Sequence, residues 1–129
     1  GRPMALTSAS TDSRALRLDR QEWIQKLEAV VAMAPERSRA VRFEVGDALS
    51  MQTSDPSRGE AQESMELIDQ QKVEDGFVWG MNGRHLLDLL QVLPSEEVSV
   101  GVPTDAVGAF SFASFEDTTQ MGVIMAMRL

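Results

Sequence analysis

The sequence predicts an α+β domain in which two helices pack on one side of two antiparallel sheets. Three observations carry this expectation. Two stretches with the apolar spacing of a helix, opening near Asp19 and Asn82, are each flanked by short segments that alternate apolar and polar residues. The order strand–helix–strand–strand–strand then occurs twice, with a period of about 60 residues, as a pseudo-twofold repeat. Finally, 129 residues with 43% hydrophobic side chains and no cysteine are enough for one core without covalent staples.

Residues 1–14 read as a tail outside the fold. Gly1-Arg2-Pro3 ahead of Met4 resembles an expression scar, and the following residues are small and polar. From Ala15, Leu16 and Leu18 alternate with Arg17 and Asp19, a short strand. Asp19 lies three residues before Glu22, a variant of the capping box. Trp23, Ile24, Leu27, Val30, Val31 and Ala34 then form one helical face, which Pro35 should end. Ala40–Val45 alternates with period 2 and is a strand. Gly46-Asp47 turns the chain, and Ala48–Thr53 returns as a second strand. Ser54–Glu60 contains Pro56 and Gly59 and reads as a loop, followed by an alternating strand over Gln62–Ile68.

The second half repeats this order. Phe77–Met81 is a strand, Asn82 is a good N-cap, and a helix opens at Gly83. Leu86, Leu89, Leu90 and Leu93 form its apolar stripe before Pro94 stops it. Val98–Val102 is a strand, Pro103–Gly108 a turn, Ala109–Phe115 a strand, and Gly122–Arg128 a final apolar strand.

Charge and composition exclude several functions. The formal net charge is −8, and it is uneven. Residues 1–42 carry eight basic and five acidic side chains, whereas residues 43–129 carry four and fifteen. Such a chain is no general nucleic-acid binder, because counterion release needs a cationic surface. The absence of cysteine removes thiol catalysis, zinc ribbons and iron–sulfur clusters. A single histidine, His85, removes any two-histidine metal site or acid–base pair. No Walker loop, nucleophile elbow or dinucleotide fingerprint occurs. The adjacent acids Glu74-Asp75, Glu96-Glu97 and Glu116-Asp117 all fall at expected turns, where solvated charge is ordinary. No segment approaches a membrane span. The chain is read as a non-enzyme with no cofactor and no metal.

One resemblance stands out. The terminal run Val123-Ile124-Met125-Ala126-Met127-Arg128-Leu129 resembles the M-P-M-R-L terminus of bacterial DNA polymerase III β subunits, the sliding clamps. Met81-Asn82-Gly83-Arg84-His85-Leu86-Leu87-Asp88-Leu89-Leu90 is similar to the family's F-N-x-x-Y-L-L-D-x-L helix start. Thr53–Met65 is similar to its N-P-E-x-x-E-A-E-E loop and strand, and Thr104-Asp105 stands at its T-D turn. The four matches lie in register over residues 15–129, which corresponds to the third, C-terminal domain of the clamp.

The resemblance implies a DNA-clamp, or processivity, fold. In the family, two three-domain chains close a ring around duplex DNA, with helices lining the hole and sheets forming the outer wall. Polymerases and repair factors dock short peptides into an apolar pocket, mostly on the third domain. Carried onto matching positions, that pocket comprises Ser38, Asn82, His85, Val107 and Ala109, with Val123, Ile124, Met125, Ala126, Met127, Arg128 and Leu129. Arg20 and Lys26 of the first helix would face DNA only weakly, since Glu22 and Glu28 cancel their charge. Arg37, Arg39 and Arg42 form a small basic cluster that straddles a loop and a strand. Two departures bear on the pocket. Ala126 stands where the family has proline, which should loosen the terminal segment while restoring an N–H donor. His85 stands where the family has a tyrosine of the pocket wall.

Two readings follow. In the first, the chain is the C-terminal domain of a bacterial cytoplasmic sliding clamp. Its partners would be the polymerase and other clamp-binding proteins, through short peptide motifs. Duplex DNA would be held only as part of a ring, with no membrane contact and no oligomer beyond a weak edge-strand dimer. In the second, it is a stand-alone or regulator-fused module that binds peptide or ligand without encircling DNA.

Overall fold

The computed structural model describes residues 14–129. The order is β1 (Ala15–Asp19), α1 (Arg20–Val31), β2 (Ala40–Val45), β3 (Ala48–Asp55), β4 (Gly59–Glu66) and β5 (Asp69–Gln71). The second half holds β6 (Val78–Asn82), α2 (Gly83–Val92), β7 (Glu97–Gly101), β8 (Ala109–Ser114) and β9 (Met121–Met125). One sheet runs β5-β1-β7-β8-β9 and the other β4-β3-β2-β6. The pairings within both sheets are antiparallel. The leading strand of each half is thus exchanged: β1 pairs with β7, and β6 pairs with β2.

Alternation dictates the layers. Leu16 and Leu18 face inward opposite Val100 and Val98, and Phe43 lies opposite Trp79. Phe43 stacks on Trp79 with ring centroids 5.0 Å apart, and Trp79 stacks on Phe110 at 4.7 Å. Phe110 belongs to the other sheet, so the stack ties the two sheets together through the core. Trp23 of α1 reaches Phe112 of β8 at 6.2 Å, and Leu86, Leu87 and Leu90 seat α2 in the same core.

Both helix starts are capped as expected. Asp19 Oδ2 accepts the Glu22 N–H at 2.9 Å, and Asn82 Oδ1 accepts the His85 N–H at 3.0 Å. Neither helix has a basic residue in its last turn; an arginine from elsewhere serves each instead. Arg20 donates to the carbonyl of Leu90 in the last turn of α2 at 2.9 Å and to that of Ser95 just beyond it at 2.6 Å. Arg58 donates to the carbonyls of Ala32 and Ala34 beyond α1.

The structure departs from the sequence reading at the boundaries. Helix α1 ends at Val31 rather than at Pro35; Met33 and Ala34 donate to Val30 and Val31 in a tightened last turn, and Ala34 stays buried. The expected loop over 54–60 shrinks to three residues. Asp55 pairs with Gly59, which takes a φ of 105° that favours glycine. The N–H and hydroxyl of Ser57 hold the Asp55 carboxyl below the usual carboxylate range and close this turn. Strand β5 was not expected, because Asp-Gln-Gln carries no apolar signal; it pairs with β1. The expected tail lies outside the described residues as far as position 13. Arg14, however, belongs to the fold: its carbonyl accepts the Val102 N–H, and its guanidinium sits 5.0 Å from the Phe77 ring.

Two predictions follow from this packing. At Gly83, an added Cβ would meet Val41 Cγ2 at 2.6 Å and Val31 Cγ2 at 2.8 Å. Gly83→Ala should therefore lower stability by about 1–3 kcal/mol through overpacking, although alanine is the better helix former. Urea unfolding followed by tryptophan fluorescence measures this, and an unchanged midpoint would contradict it. The second concerns edges. Edge strand β4 carries Glu60, Glu63 and Glu66, which repel a second copy, whereas edge strand β9 has no charge. The protein should sediment as a monomer with at most weak dimers at micromolar concentration, and a stable closed ring would refute this.

Candidate functional site: an apolar cavity between the second helix and the last strand

The site starts from Asn82. It closes β6 and caps α2, so its carboxamide oxygen is committed while its amide N–H groups remain available. The cap places His85, exposed, on the first turn of α2. One turn later Leu89 leans onto β9. An added Cβ at Gly122 would lie 2.7 Å from Leu89 Cδ1, so the glycine leaves room for Leu89 to lie directly on the strand.

Strand β9 supplies the opposite wall. Val123 and Met125 point outward, 60% and 62% exposed, while Ile124 packs against the core. The chain then leaves its sheet. Ala126 donates its N–H to Gly108 O at 3.0 Å, and Met127 donates to Gly80 O at 2.8 Å, bridging to β6 of the other sheet. Ala126 therefore does not loosen the terminal segment. The N–H that a proline would lack is bonded, and it fastens the segment to the turn that Asp105 organises. Just before β9, the hydroxyl and N–H of Thr119 hold the Asp117 carboxyl below its usual range and shape the preceding turn.

These elements enclose an open cavity of about 460 Å³, lined by Asn82, His85, Leu89, Gly122, Val123, Ile124, Met125 and Met127. Its walls are aliphatic and thioether groups, with an amide, an imidazole and the free edge of β9 as polar anchors. Such a surface suits capture of an apolar side chain flanked by a hydrogen-bonding group. No cluster of three potential metal-ligating His, Cys, Asp or Glu side chains exists among the described residues.

Six of the expected site residues meet here: Asn82, His85, Val123, Ile124, Met125 and Met127. The other six do not line the cavity. Ala109 lies opposite Met125 on β8, and Val107 sits in the Asp105 turn. Ala126 supports from behind through Gly108. Ser38 is exposed in the turn before β2, where its hydroxyl accepts the Ala40 N–H at 3.3 Å. Arg128 is exposed, and Leu129 packs over Gly80 into a separate groove of about 570 Å³ beside Ala40, Arg42 and Gln52. Leu89 and Gly122 were missed as site residues, although a glycine inside a strand pattern signals close approach. On α1, the Arg20 guanidinium is bonded to the carbonyls of Leu90 in α2 and Ser95 after it, and Lys26 pairs with Glu63 at 3.4 Å. Arg20 is thus an internal tie rather than a free cation facing outward.

Comparison with protein families matches residues 10–128 to the DNA polymerase III beta subunit, C-terminal domain. No curated protein matches in sequence. Among solved structures, a Pseudomonas aeruginosa DNA polymerase III beta sliding clamp bound to griselimycin superposes with a TM-score of 0.81 and 23% identity, over 90% of this chain and 31% of that one. A Bartonella birtlesii clamp, also bound to griselimycin, gives 0.81 and 24%, over 92% of this chain and 31% of that one. A Caulobacter crescentus clamp with polyethylene glycol bound gives 0.81 and 22%, with the same coverage. The chain spans about a third of the length of these structures.

The cap at Asn82 is testable alone. Asn82→Ala should cost about 1 kcal/mol by orphaning the His85 N–H, while Asn82→Asp should keep most of the stability. Equal urea midpoints for the alanine variant and the unaltered protein would show that the cap contributes nothing.

Proposed function

The chain belongs to the family of the C-terminal domain of the DNA polymerase III beta subunit, and from that membership we propose that the cavity between α2 and β9 captures short linear peptides from polymerases and repair factors. One observation carries the proposal. Six of the twelve positions matched to the family's peptide pocket, Asn82, His85, Val123, Ile124, Met125 and Met127, line one apolar cavity, and this supports the reading. The domain acts by binding, not by catalysis, as the peptide-holding part of a bacterial cytoplasmic processivity factor. An apolar pair at the peptide's end fills the space beside Val123 and Leu89. A glutamine ahead of it pairs with the Asn82 amide and the free backbone edge of β9. No described helix is long and apolar enough to cross a membrane.

A second reading, a peptide module that does not encircle DNA, draws support from α1. Its Arg20 is engaged by α2, its Lys26 is paired with Glu63, and its Glu22 and Glu28 offset their charge. Little cationic surface remains there to release counterions from duplex DNA. Duplex affinity of this chain should be weak and should vanish with modest salt. Tight binding in a fluorescence anisotropy titration at physiological salt would overturn that expectation.

The peptide reading is tested by NMR titration with a synthetic peptide carrying glutamine, leucine and a terminal Leu-Phe pair. The cavity is open on one side, so affinity should be high micromolar to millimolar, about −4 to −6 kcal/mol. Shifts should centre on Asn82, Leu89 and β9. Deleting Met127-Arg128-Leu129 should abolish binding, and His85→Tyr should strengthen it by extending the apolar wall. Shifts confined to the turn holding Arg37 and Arg39 would refute this site.

A further inference from the structure

The described methionines divide sharply by exposure. Met51, Met65 and Met81 are buried at 0–3%. Met33 is half-buried near Gly59, and Met127 is half-buried in the cavity. Met121 and Met125, both on β9, are 54% and 62% exposed. The most exposed methionine among the described residues is therefore Met125, and it lines the apolar wall of the cavity. Its position makes this exposure durable: β9 is an edge strand, and the residue opposite Met125 is Ala109, too small to cover it.

We propose that Met125 is a reversible oxidation site through which hydroperoxides switch off ligand capture at this cavity, a proposal that rests on the peptide-binding reading above. The chemistry needs only the thioether and a hydroperoxide. A sulfur lone pair attacks the outer peroxide oxygen; the S–O bond forms as the O–O bond breaks. The hydroxyl proton passes to the departing oxygen, giving an alcohol, or water from hydrogen peroxide. Sulfur is oxidised by two electrons and the peroxide is reduced by two. The product sulfoxide is a polar, hydrogen-bond-accepting group in place of an adaptable apolar one. Among the residues that line the cavity with it, Leu89, Gly122, Val123, Ile124 and Met127 have no strong side-chain donor, and only Asn82 and His85 do. An apolar ligand side chain buries there only by stripping water from the sulfoxide oxygen, and a sulfoxide that takes the Asn82 amide competes for the donor the ligand's glutamine uses, so capture is lost. Reduction by the two methionine sulfoxide reductases, one per sulfoxide epimer, restores the thioether.

The test exposes the whole chain to dilute hydrogen peroxide and follows each methionine by peptide mass mapping. The same samples are titrated with the synthetic Gln-Leu…Leu-Phe peptide. Met121 and Met125 should gain one oxygen at least tenfold faster than Met51, Met65 and Met81. Peptide affinity should fall at least tenfold as Met125 converts, and should recover after treatment with both reductases and a dithiol. Met125→Leu removes the sulfur; whatever its starting affinity, the ratio before and after peroxide should lie near one. An unchanged affinity with Met125 fully oxidised overturns the proposal. So does an equal loss in Met125→Leu, which would place the effect at another methionine. Failure of the untreated protein to bind the peptide is a separate result: it overturns the peptide reading, and the switch with it.

Discussion

The exchange of leading strands between the two halves is the constraint from which the rest of the structure follows. Strand β1 completes the sheet of the second half, and β6 completes the sheet of the first. Neither half can close its own hydrogen-bond ladder, so neither is a folding unit alone. The helix that follows each exchanged strand is thereby carried across the core. The Arg20 backbone N–H bonds to Glu96 O, and its guanidinium covers the end of α2. The Phe43–Trp79–Phe110 stack sits where the two sheets come together, two of its rings from one sheet and one from the other. Such pairings join residues far apart in sequence, so the domain should fold slowly for its size.

The candidate site is a consequence of the same exchange. Because β6 lies at the edge of the first sheet, α2 starts beside the end of the second sheet, where β9 forms the opposite edge. The gap between them is spanned by Leu89 over Gly122 and by the Met127–Gly80 bridge. The cavity is therefore bounded by a helix start, an edge strand and a chain end. Each of these leaves polar backbone or side-chain groups within reach of a ligand, while Val123, Leu89 and Met125 supply the apolar wall.

Charge is distributed to match. Several of the basic residues are engaged internally, Arg14 with Lys72 O and Glu74, Arg20 with α2, and Arg58 with the end of α1. Arg17 pairs with Glu97 at 3.1 Å while lying over the Phe115 ring. The excess acid lies instead on exposed turns and on β4, where it keeps one sheet edge from pairing with a second copy. The uncharged edge strand β9 carries the candidate site. The edges at β4 and β9 are thus distinct in chemistry as well as in position.

Local physics made much of this legible in the sequence. The caps at Asp19 and Asn82, the stop at Pro94, the alternation of Ala40–Val45 and the doubled element order depend on neighbours a few residues apart, and all are present in the structure. Half of the expected site residues also converge, because Asn82, His85 and the terminal run carry a recognisable pattern. Periodicity reports which face is buried, but not against what. The tertiary structure alone decided that β1 and β6 change places and that polar Asp69–Gln71 forms a strand by borrowing the free edge of β1. It also decided that Leu129 turns away toward Gly80 and that Leu89 lies directly over Gly122. The Ala126 N–H is the clearest case. The sequence determined that a donor exists there; only the approach of Gly108, eighteen residues earlier in the chain, decided that it ties the terminal segment down.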